Sequence, residues 1–260
     1  MSFSLENICF AYNGNRVIDD VTLAFEPGKS FGIIGPNGSG KSTLLDLMAG
    51  HLAPDSGRVF LGENPLTLYT RKAMALKIAM VPQIFSVNIS YTAREVVMMG
   101  RYPHIPKFSS PGREDLDLVD RVMEKTGTAP FKDRLVTEVS GGERQRIFFA
   151  RALAQNAEHL LLDEATSSLD INHAVSMMNI VTREVHKEGK TAVSVFQDIN
   201  LAAMYCDELV FLKQGRVAAN GPVDEVLTES TVSRVFGVSC HVAYHSHAGA
   251  RQVVYRKETV

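Results

Sequence analysis

The sequence has few cysteines, no long apolar run and almost no net charge. Its three cysteines, Cys9, Cys206 and Cys240, are scattered and odd in number, which argues against a disulfide framework or zinc knuckle and favours a reducing compartment. A net charge of −2 gives no basic field, so we expect no nucleic-acid partner. No run of 18 apolar residues is present, so no segment is expected to span a bilayer. The N-terminus has no basic stretch before an apolar run, so we expect no signal peptide.

The 260 residues instead alternate short apolar runs with helical patterns. Strands are predicted at residues 30–34, 78–81, 159–162 and 192–196. Helices are predicted after them at residues 42–49, 171–186 and 199–205, and a hairpin at 208–217. This order predicts an α/β fold with a mostly parallel sheet. Residues 1–30 and 57–62 alternate between turn signals, which predicts an N-terminal antiparallel β layer.

Residues 90–154 show no clear strand pattern. Helices are predicted there at residues 92–99, 114–125 and 143–154. We therefore expect a single domain, in which this helical subdomain interrupts an α/β core. The expected parts are the core at 1–89 and 155–222, the helical subdomain at 90–154, and a C-terminal extension at 223–260.

The strongest motif is GPNGSGKST, which lies between a predicted strand and a predicted helix. It matches G-x-x-x-x-G-K-[ST] and predicts a phosphate-binding loop, with an ordinary glycine turn as the alternative. Glycines let backbone N–H groups converge on phosphate oxygens, and the helix dipole adds positive potential. We expect Lys41 to reach the β- and γ-phosphates and Ser42 to bind magnesium. The predicted phosphate-binding residues are Gly35, Pro36, Asn37, Gly38, Ser39, Gly40, Lys41, Ser42 and Thr43.

A second helix start, in VSGGERQR, has the features of another anion site. Ser140 is a good N-cap, and two glycines after it expose N–H groups, although an ordinary helix start explains Ser-Gly-Gly equally well. Because the glycine loop already encloses one side of a triphosphate, a distant second site is most useful over the nucleotide of another copy. We therefore expect a head-to-tail pair of chains, which is a closed two-fold assembly.

The segment HLLLDE places two carboxylates, Asp163 and Glu164, at the end of an apolar strand. The carboxyl ends of strands are where α/β sheets bind ligands. We expect Asp163 to hold magnesium through its water and Glu164 to orient or deprotonate the attacking water. The alternative is a pair of carboxylates in a surface turn.

Together these motifs resemble the nucleotide-binding subunit of ATP-binding cassette (ABC) transporters over nearly the whole chain. GPNGSGKST resembles its Walker A motif, HLLLDE its Walker B, and VSGGERQR its LSGGQ signature, with Val139 for Leu and Glu143 for Gln. The resemblance implies a P-loop NTPase core that binds ATP and Mg²⁺. It also implies that Gln83 contacts Mg²⁺ and the attacking water, and that Tyr12 stacks on adenine. The residues implied to contact the partner copy's nucleotide are Ser140, Gly141, Gly142, Glu143 and Asp170.

One position, in TAVSVFQDIN, departs from the family's pattern. Gln197 stands where the family usually has a histidine that contacts the γ-phosphate. An amide can donate one hydrogen bond there, but it cannot titrate or carry charge. Loss of one preorganised contact commonly lowers a rate about a hundred- to a thousandfold. We expect a catalytic role for Glu164, Gln83 and Gln197 with slow hydrolysis, whether Gln197 is native or an engineered trap. The alternative is a native glutamine that works adequately.

The resemblance also implies partners and a place of work. We expect ATP-driven dimer closure to energise a membrane importer with two transmembrane permease subunits and, indirectly, a substrate-binding protein. The chain would lie peripherally on the cytoplasmic face of the inner membrane. The stretch MGRYPH resembles subunits that serve importers of ferric siderophores, haem and cobalamin, although Gly100 and Pro103 also end helices ordinarily.

Two other functions stay open. A soluble cassette protein in translation or DNA repair usually has two fused cassettes or long coiled-coil insertions, and this sequence has neither. A nucleotide-gated regulatory clamp with little hydrolysis is compatible with Gln197, whereas the intact Glu164 argues against it.

Two segments have undecided roles. Exposed apolar residues at 84–91 would form a groove for a permease helix, or they pack internally. Residues 239–247, SCHVAYHSH, combine a thiol with three imidazoles. Metal binding is one interpretation of that segment, and alternation along a terminal strand is the other.

Overall fold

The computed structural model describes residues 2–83 and 90–257. Its strands are β1 (Phe3–Tyr12), β2 (Asn15–Phe25), β3 (Ser30–Ile34), β4 (Ser56–Leu61), β5 (Asn64–Pro65), β6 (Ile78–Val81), β7 (His159–Asp163), β8 (Thr191–Val195), β9 (Glu208–Lys213), β10 (Arg216–Pro222), β11 (Cys240–His245) and β12 (Ala250–Tyr255). Its α-helices are α1 (Lys41–Met48), α2 (Arg71–Ala75), α3 (Ala93–Met98), α4 (Arg113–Lys125), α5 (Gly141–Ala154), α6 (Ile171–His186), α7 (Ile199–Tyr205), α8 (Val223–Val226) and α9 (Glu229–Phe236). Single 3₁₀ turns lie at Leu66–Leu68, Met99–Arg101 and Ala129–Phe131.

The chain divides into two compact units. The first comprises Met1–Leu68 and Thr191–Val260, and the second comprises Tyr69–Lys190. The sequence predicted different boundaries, at residues 90 and 155 around the helical subdomain and at 223 before the C-terminal extension. That division into core, helical subdomain and extension stays a prediction.

The first unit contains the predicted antiparallel layer and parallel strands. The layer has the strand order β2-β1-β4-β5, and all of its neighbours are antiparallel. Elsewhere in this unit β3 pairs in parallel with both β8 and β9, and β10 is antiparallel to β9. All five residues of β3 are buried, as are all five of β8, as expected for parallel strands that are covered on both faces. The predicted α/β class is therefore confirmed.

Two hairpins of the first unit turn where the sequence predicted. Asn13 and Gly14 have φ of 49° and 84°, and Gln214 and Gly215 have φ of 50° and 77°. Two consecutive left-handed residues match the right-handed twist of the strands they join. A Cβ at Gly215 would lie 2.4 Å from the Val17 carbonyl oxygen, so glycine is required there for space as well as conformation.

The second unit pairs β6 in parallel with β7 and carries α2 to α6. Residues 90–154, all of which the structure describes, contain no strand, as predicted. The predicted helices are present as α3, α4 and α5. The start of α5 at Gly141 precedes the predicted residue 143, because Ser140 is the N-cap and the helix begins immediately after it.

The predicted terminal strand is β11, which forms a hairpin with β12. His241 bonds Glu229 through Nδ1 at 2.7 Å, and His247 lies in the connecting turn. Within residues 2–83 and 90–257, no group of three or more His, Cys, Asp or Glu side chains is arranged to hold a metal ion. The strand interpretation of residues 239–247 is thus the one that the structure favours. Across the same two ranges, no helix combines the length and apolarity needed to cross a membrane.

Candidate active site

The glycine loop joins β3 to α1 in the first unit. A Cβ at Gly35 would lie 2.1 Å from the Leu212 carbonyl oxygen, and a Cβ at Gly40 would lie 2.7 Å from Ile18 Cδ1. Gly40 also has φ of 99°, which disfavours any other residue. The loop therefore packs tightly on β2 and β9, and glycine is required at both positions.

The polar groups of this loop fit an anion. Lys41 is only 6% exposed, and its Nζ donates to the carbonyl oxygens of Gly35 at 2.9 Å and Pro36 at 3.0 Å. The buried Ser39 hydroxyl finds no hydrogen-bond partner among the described residues. Gly40 is the N-cap of α1 and has no side chain to bond the first N–H groups of the helix. A buried ammonium, an orphan hydroxyl and these N–H groups together suit phosphate oxygens.

The other loop residues take the positions that the motif predicts. Asn37 and Gly38 are exposed and Pro36 is half-buried, while Ser42 and Thr43 lie in the first turn of α1. Their contacts with nucleotide and magnesium stay predictions. Ser42 and Thr43 provide hydroxyl groups and Lys41 provides an ammonium group, which are groups that can bind a magnesium triphosphate.

Gln197 follows β8 at the same sheet edge as the glycine loop. β8 and β3 are parallel, with Ile33 opposite Val195, so the residues after both strands lie at one edge. The side chain of Gln197 is exposed there. Its neighbour Asp198 caps α7, accepting from Asn200 N at 2.8 Å. The predicted strand before Gln197 is present as β8, and both the delivery of this amide to a nucleotide and its catalytic role stay predictions.

Tyr12 ends β1 and is 45% exposed. Its ring meets Phe10 edge-to-face, with the ring centroids 4.8 Å apart. Phe10 is the cross-strand partner of Ile18, and Ile18 is the residue that packs on Gly40. The exposed ring thus belongs to the same part of the hairpin that supports the glycine loop, which suits a stacking role.

The acid pair lies in the second unit and is buried. Asp163 ends β7 at 5% exposure, and Glu164 follows at 7%. Gln83 Nε2 donates to Glu164 Oε2 at 2.6 Å, because β6 and β7 run in parallel and the residues after them are neighbours. The alternative of two carboxylates in a surface turn is therefore wrong.

Glu164 has an uncommon backbone conformation. Its φ is 48°, in the left-handed region that residues other than glycine rarely occupy. Ser167 fixes this conformation by donating its N–H at 3.0 Å and its hydroxyl at 2.8 Å to the Glu164 carbonyl oxygen. Non-glycine residues held in this way are concentrated at functional sites.

The signature segment forms a reciprocal cap at the start of α5. Ser140 Oγ accepts from Glu143 N at 3.3 Å, while Glu143 Oε2 accepts from both Ser140 N and Ser140 Oγ at 2.8 Å. The backbone N–H of Ser140, and then its hydroxyl, hold the pKa of Glu143 below its ordinary value. Ser140 and Gly141 are nevertheless exposed to solvent.

Residues 167–170, SSLD, which resemble the family's D-loop, lie beside this helix start in the same chain. A Cβ at Gly142 would lie 3.6 Å from Leu169 Cδ2. Asp170 is exposed and caps α6, accepting from His173 N at 2.8 Å. The signature and D-loop residues therefore share one exposed region, which is what a contact with a second copy requires. That contact stays a prediction.

The MGRYPH segment closes the opposite end of α5, a role that the sequence reasoning missed. Arg101 Nη1 donates to the Ala154 carbonyl oxygen, and its Nε to Asp115 Oδ1, both at 2.8 Å. His104 Nε2 lies 2.7 Å from the Gln155 carbonyl oxygen. These donors satisfy carbonyl groups that a helix C-terminus leaves unpaired. Basic residues beside helix-ending glycine and proline were the available signal.

Gln155 continues this connection into the sheet of the second unit. Its Nε2 donates to the carbonyl oxygens of Ala75 at 2.6 Å and Ile78 at 2.7 Å, at the start of β6. A Cβ at Gly100 would lie 2.3 Å from the Arg151 carbonyl oxygen, so only glycine allows this close approach. The helix that carries Ser140 is thus fixed to the strand that precedes Gln83.

The apolar segment predicted to dock a permease includes residues 84–89, which lie outside the described residues.

Comparisons with known proteins agree with these motifs. A family model for the ABC transporter matches residues 18–167. The cobalamin import ATP-binding protein BtuD of Halobacterium salinarum is 43% identical over 237 residues, which cover 91% of this chain and 59% of that protein. The chain thus spans 59% of the length of this relative. The hemin import ATP-binding protein HmuV of Rhodococcus jostii is 40% identical, covering 97% of this chain and 86% of that protein.

Solved structures share the fold. A metal-chelate type ABC transporter in an inward-facing conformation matches with a TM-score of 0.82 and 26% identity, covering 98% of this chain and 96% of that one. The ATP-binding cassette MJ0796, solved as a dimer in a post-hydrolysis state with ADP and Pi, matches with a TM-score of 0.77 and 26% identity. That match covers 85% of this chain and 98% of the other.

Proposed function

The chain belongs to the ABC transporter family, and on that premise we propose that it is the ATP-hydrolysing subunit of a membrane importer. The observation that carries the proposal is the buried carboxylate of Glu164, held 2.6 Å from the Gln83 amide at the end of a strand. A buried carboxylate positioned by a hydrogen-bond donor is the group needed to act on an attacking water. The glycine loop with its buried lysine supplies the phosphate-binding counterpart.

In the proposed reaction each residue has one task. Lys41 turns from the carbonyl oxygens of Gly35 and Pro36 to the β- and γ-phosphates of ATP, where its charge offsets theirs. Glu164 orients a water whose oxygen attacks the γ-phosphorus, and it accepts the proton that this water loses, while the β–γ bridging oxygen leaves with ADP. Gln197 donates one hydrogen bond to a γ-phosphate oxygen.

Magnesium fits the proposed donor set. Ser42, Gln83 and Asp163 offer hydroxyl, amide and carboxylate oxygens, which are the ligands that this cation prefers. Asp163 is buried at the end of β7, where a neighbouring cation would offset the cost of burying its charge. Bound Mg²⁺ would supply positive charge to the transferring phosphoryl group.

Dimer closure is the proposed conformational step. Ser140 and Asp170 cap helices of their own chain and remain exposed to solvent, which suits contacts with the nucleotide site of a second copy. The dimeric cassette to which this chain is similar supports such pairing. If ATP is bound from both sides only in the closed dimer, its higher affinity for the closed state than for the open state drives closure. Hydrolysis of ATP then allows the dimer to open.

The names of the similar proteins support a proposal for the cargo and the partners. The relatives are named for cobalamin and hemin import, and one similar structure is of metal-chelate type, which supports a metal chelate as cargo. We infer two transmembrane permease subunits, a substrate-binding protein acting through them, and a peripheral position on the cytoplasmic face of the inner membrane. Copurification of the native complex, with identification of the attached membrane protein, tests this part.

The first test is a trapped dimer. Glu164→Gln removes the water's proton acceptor but keeps its size, so ATP and Mg²⁺ should convert this variant from monomer to dimer in size-exclusion chromatography with light scattering. Addition of Ser140→Ala should return it to monomer. A Glu164→Gln protein that hydrolyses ATP at the parent rate would contradict the proposed reaction, and one that stays monomeric with bound ATP would contradict the proposed pairing.

A further inference from the structure

We propose that Glu143 sets the affinity of the ATP-closed dimer at the start of α5, where Ser140 would meet the partner copy's nucleotide. There its carboxylate repels the γ-phosphate, competes for the Ser140 hydroxyl and so weakens the closed dimer. This inference rests on the proposed function, because it presumes that Ser140 meets the nucleotide of a second copy. It assigns a role to a carboxylate at a position where the family pattern has an amide.

The Ser140 hydroxyl is already hydrogen-bonded to Glu143 within its own chain. Its proton is donated to Glu143 Oε2 at 2.8 Å, and the same carboxylate oxygen also accepts from Ser140 N at 2.8 Å. A hydroxyl has a single proton to donate. Ser140 must therefore give up its bond to Glu143 before it can donate to a phosphate oxygen, and a bond to a carboxylate is stronger than one to a neutral acceptor.

The negative charge of Glu143 would also repel a phosphate that approaches Ser140. The carboxylate lies one hydrogen bond from the hydroxyl that would contact a phosphate, so two anions would be brought within a few ångströms on closure. Backbone and side-chain bonds from Ser140 keep the pKa of Glu143 low, so the group remains ionised at neutral pH. Like charges at such a separation repel even when partly solvated.

Nearby cations offset this repulsion only in part. Arg134 and Arg146 lie near enough to Glu143 to favour its ionised form. Arg146 is already engaged, because its Nη1 donates to the Gly127 carbonyl oxygen at 3.1 Å and its guanidinium lies 5.4 Å from the centre of the Phe131 ring. Asp170 adds a further carboxylate that interacts with Arg146. The carboxylates of Glu143 and Asp170 thus balance the charges of the two arginines, so this helix start keeps no net positive side-chain charge from these four residues with which to attract a phosphate.

Glutamine at this position would preserve the cap and remove the charge. Its side-chain oxygen can still accept from Ser140 N, and it has nearly the same length as glutamate. It accepts the Ser140 proton less strongly, which leaves the hydroxyl freer to bind phosphate. Glu143→Gln is therefore expected to tighten the closed dimer, whereas loss of a helix cap alone would do the opposite or nothing.

The experiment measures the dimer dissociation constant by analytical ultracentrifugation with saturating ATP and Mg²⁺. All proteins carry Glu164→Gln, so that ATP persists. Glu143→Gln should lower the dissociation constant about tenfold at roughly 50 mM salt, and the gap to the parent should narrow at roughly 500 mM because salt screens the repulsion. The matched control is Glu138→Gln, which removes an exposed carboxylate two residues before Ser140 and should leave the dissociation constant within about twofold. Thermal unfolding checks that the helix cap is retained.

The failures of this inference and of the proposed function are separable. If Glu143→Gln leaves the dimer unchanged or weakens it while Ser140→Ala still abolishes it, the role of Glu143 is overturned and the pairing stands. A salt-independent gain would also overturn the repulsion. If Ser140→Ala leaves the dimer intact, the proposed pairing fails, and the role of Glu143 fails with it.

Discussion

At position 197 a neutral amide occupies the end of a strand that lies beside the glycine loop. The side chain is exposed, and the sheet register brings it to the edge where β3 delivers the loop. The sequence was sufficient to predict this, because a short buried strand ending in polar residues is a local pattern. The burial of Asp163 and Glu164 was harder to predict, because it depends on neighbouring strands. The bond from Gln83 to Glu164 likewise joins two strand ends that are 81 residues apart.

Gln197→His is expected to raise the steady-state ATPase rate by about tenfold or more. Histidine can carry positive charge against the γ-phosphate, whereas an amide offers only a neutral hydrogen bond. Gln197→Ala is the matched control and should lower the rate below that of the parent, because it removes that bond. A histidine variant with unchanged turnover, at unchanged ATP affinity, would show that the glutamine is fully competent.

At the level of helices and strands, periodicity and capping residues predicted most elements. Four elements have the predicted bounds, namely β3, β6, α6 and α7. Each has a long or strongly apolar sequence pattern between clear end signals. The interactions at the C-terminal end of α5 were not predictable, because they join residues from three separate segments. Arg101, Gln155 and the carbonyl group of Ile78 meet only in the folded chain.

Arg101→Met should destabilise the protein by about 3 kcal/mol, since it removes the cation beside Asp115, which keeps only the bond from Gly112 N, and takes the side-chain donor from the Ala154 carbonyl group in a mostly buried place. The side chains of Arg101 and Asp115 are 11% and 17% exposed. Urea unfolding monitored by circular dichroism measures the change.

Arg94→Met is the matched control for that substitution. Arg94 also bonds a carboxylate, Asp120, through two nitrogens, but the two side chains are 38% and 50% exposed. Its loss should cost less than about 1 kcal/mol, because solvent screens the pair. Equal losses for the two arginines would contradict a special role of the MGRYPH segment in fixing α5.

At the level of the whole molecule, the proposed residues are distributed over two compact units. The glycine loop, Tyr12 and Gln197 belong to the first unit, whereas Gln83, the acid pair and the signature belong to the second. Each motif is local in sequence, so all could be recognised from it. The cargo cannot be recognised in the same way, because the proposed mechanism gives it no contact with this chain. The pairing of copies is inferred from Ser140 and Asp170, which cap helices of their own chain and remain exposed to solvent.

A mixing experiment tests that pairing. One copy carries Lys41→Ala, which disables its phosphate loop, and the other carries Ser140→Ala, which disables its signature. In a head-to-tail pair these copies combine to give one site with an intact lysine and an intact serine, so the mixture should hydrolyse ATP faster than the sum of the two proteins measured separately. A mixture no faster than that sum would mean that Ser140 does not act on its neighbour's nucleotide.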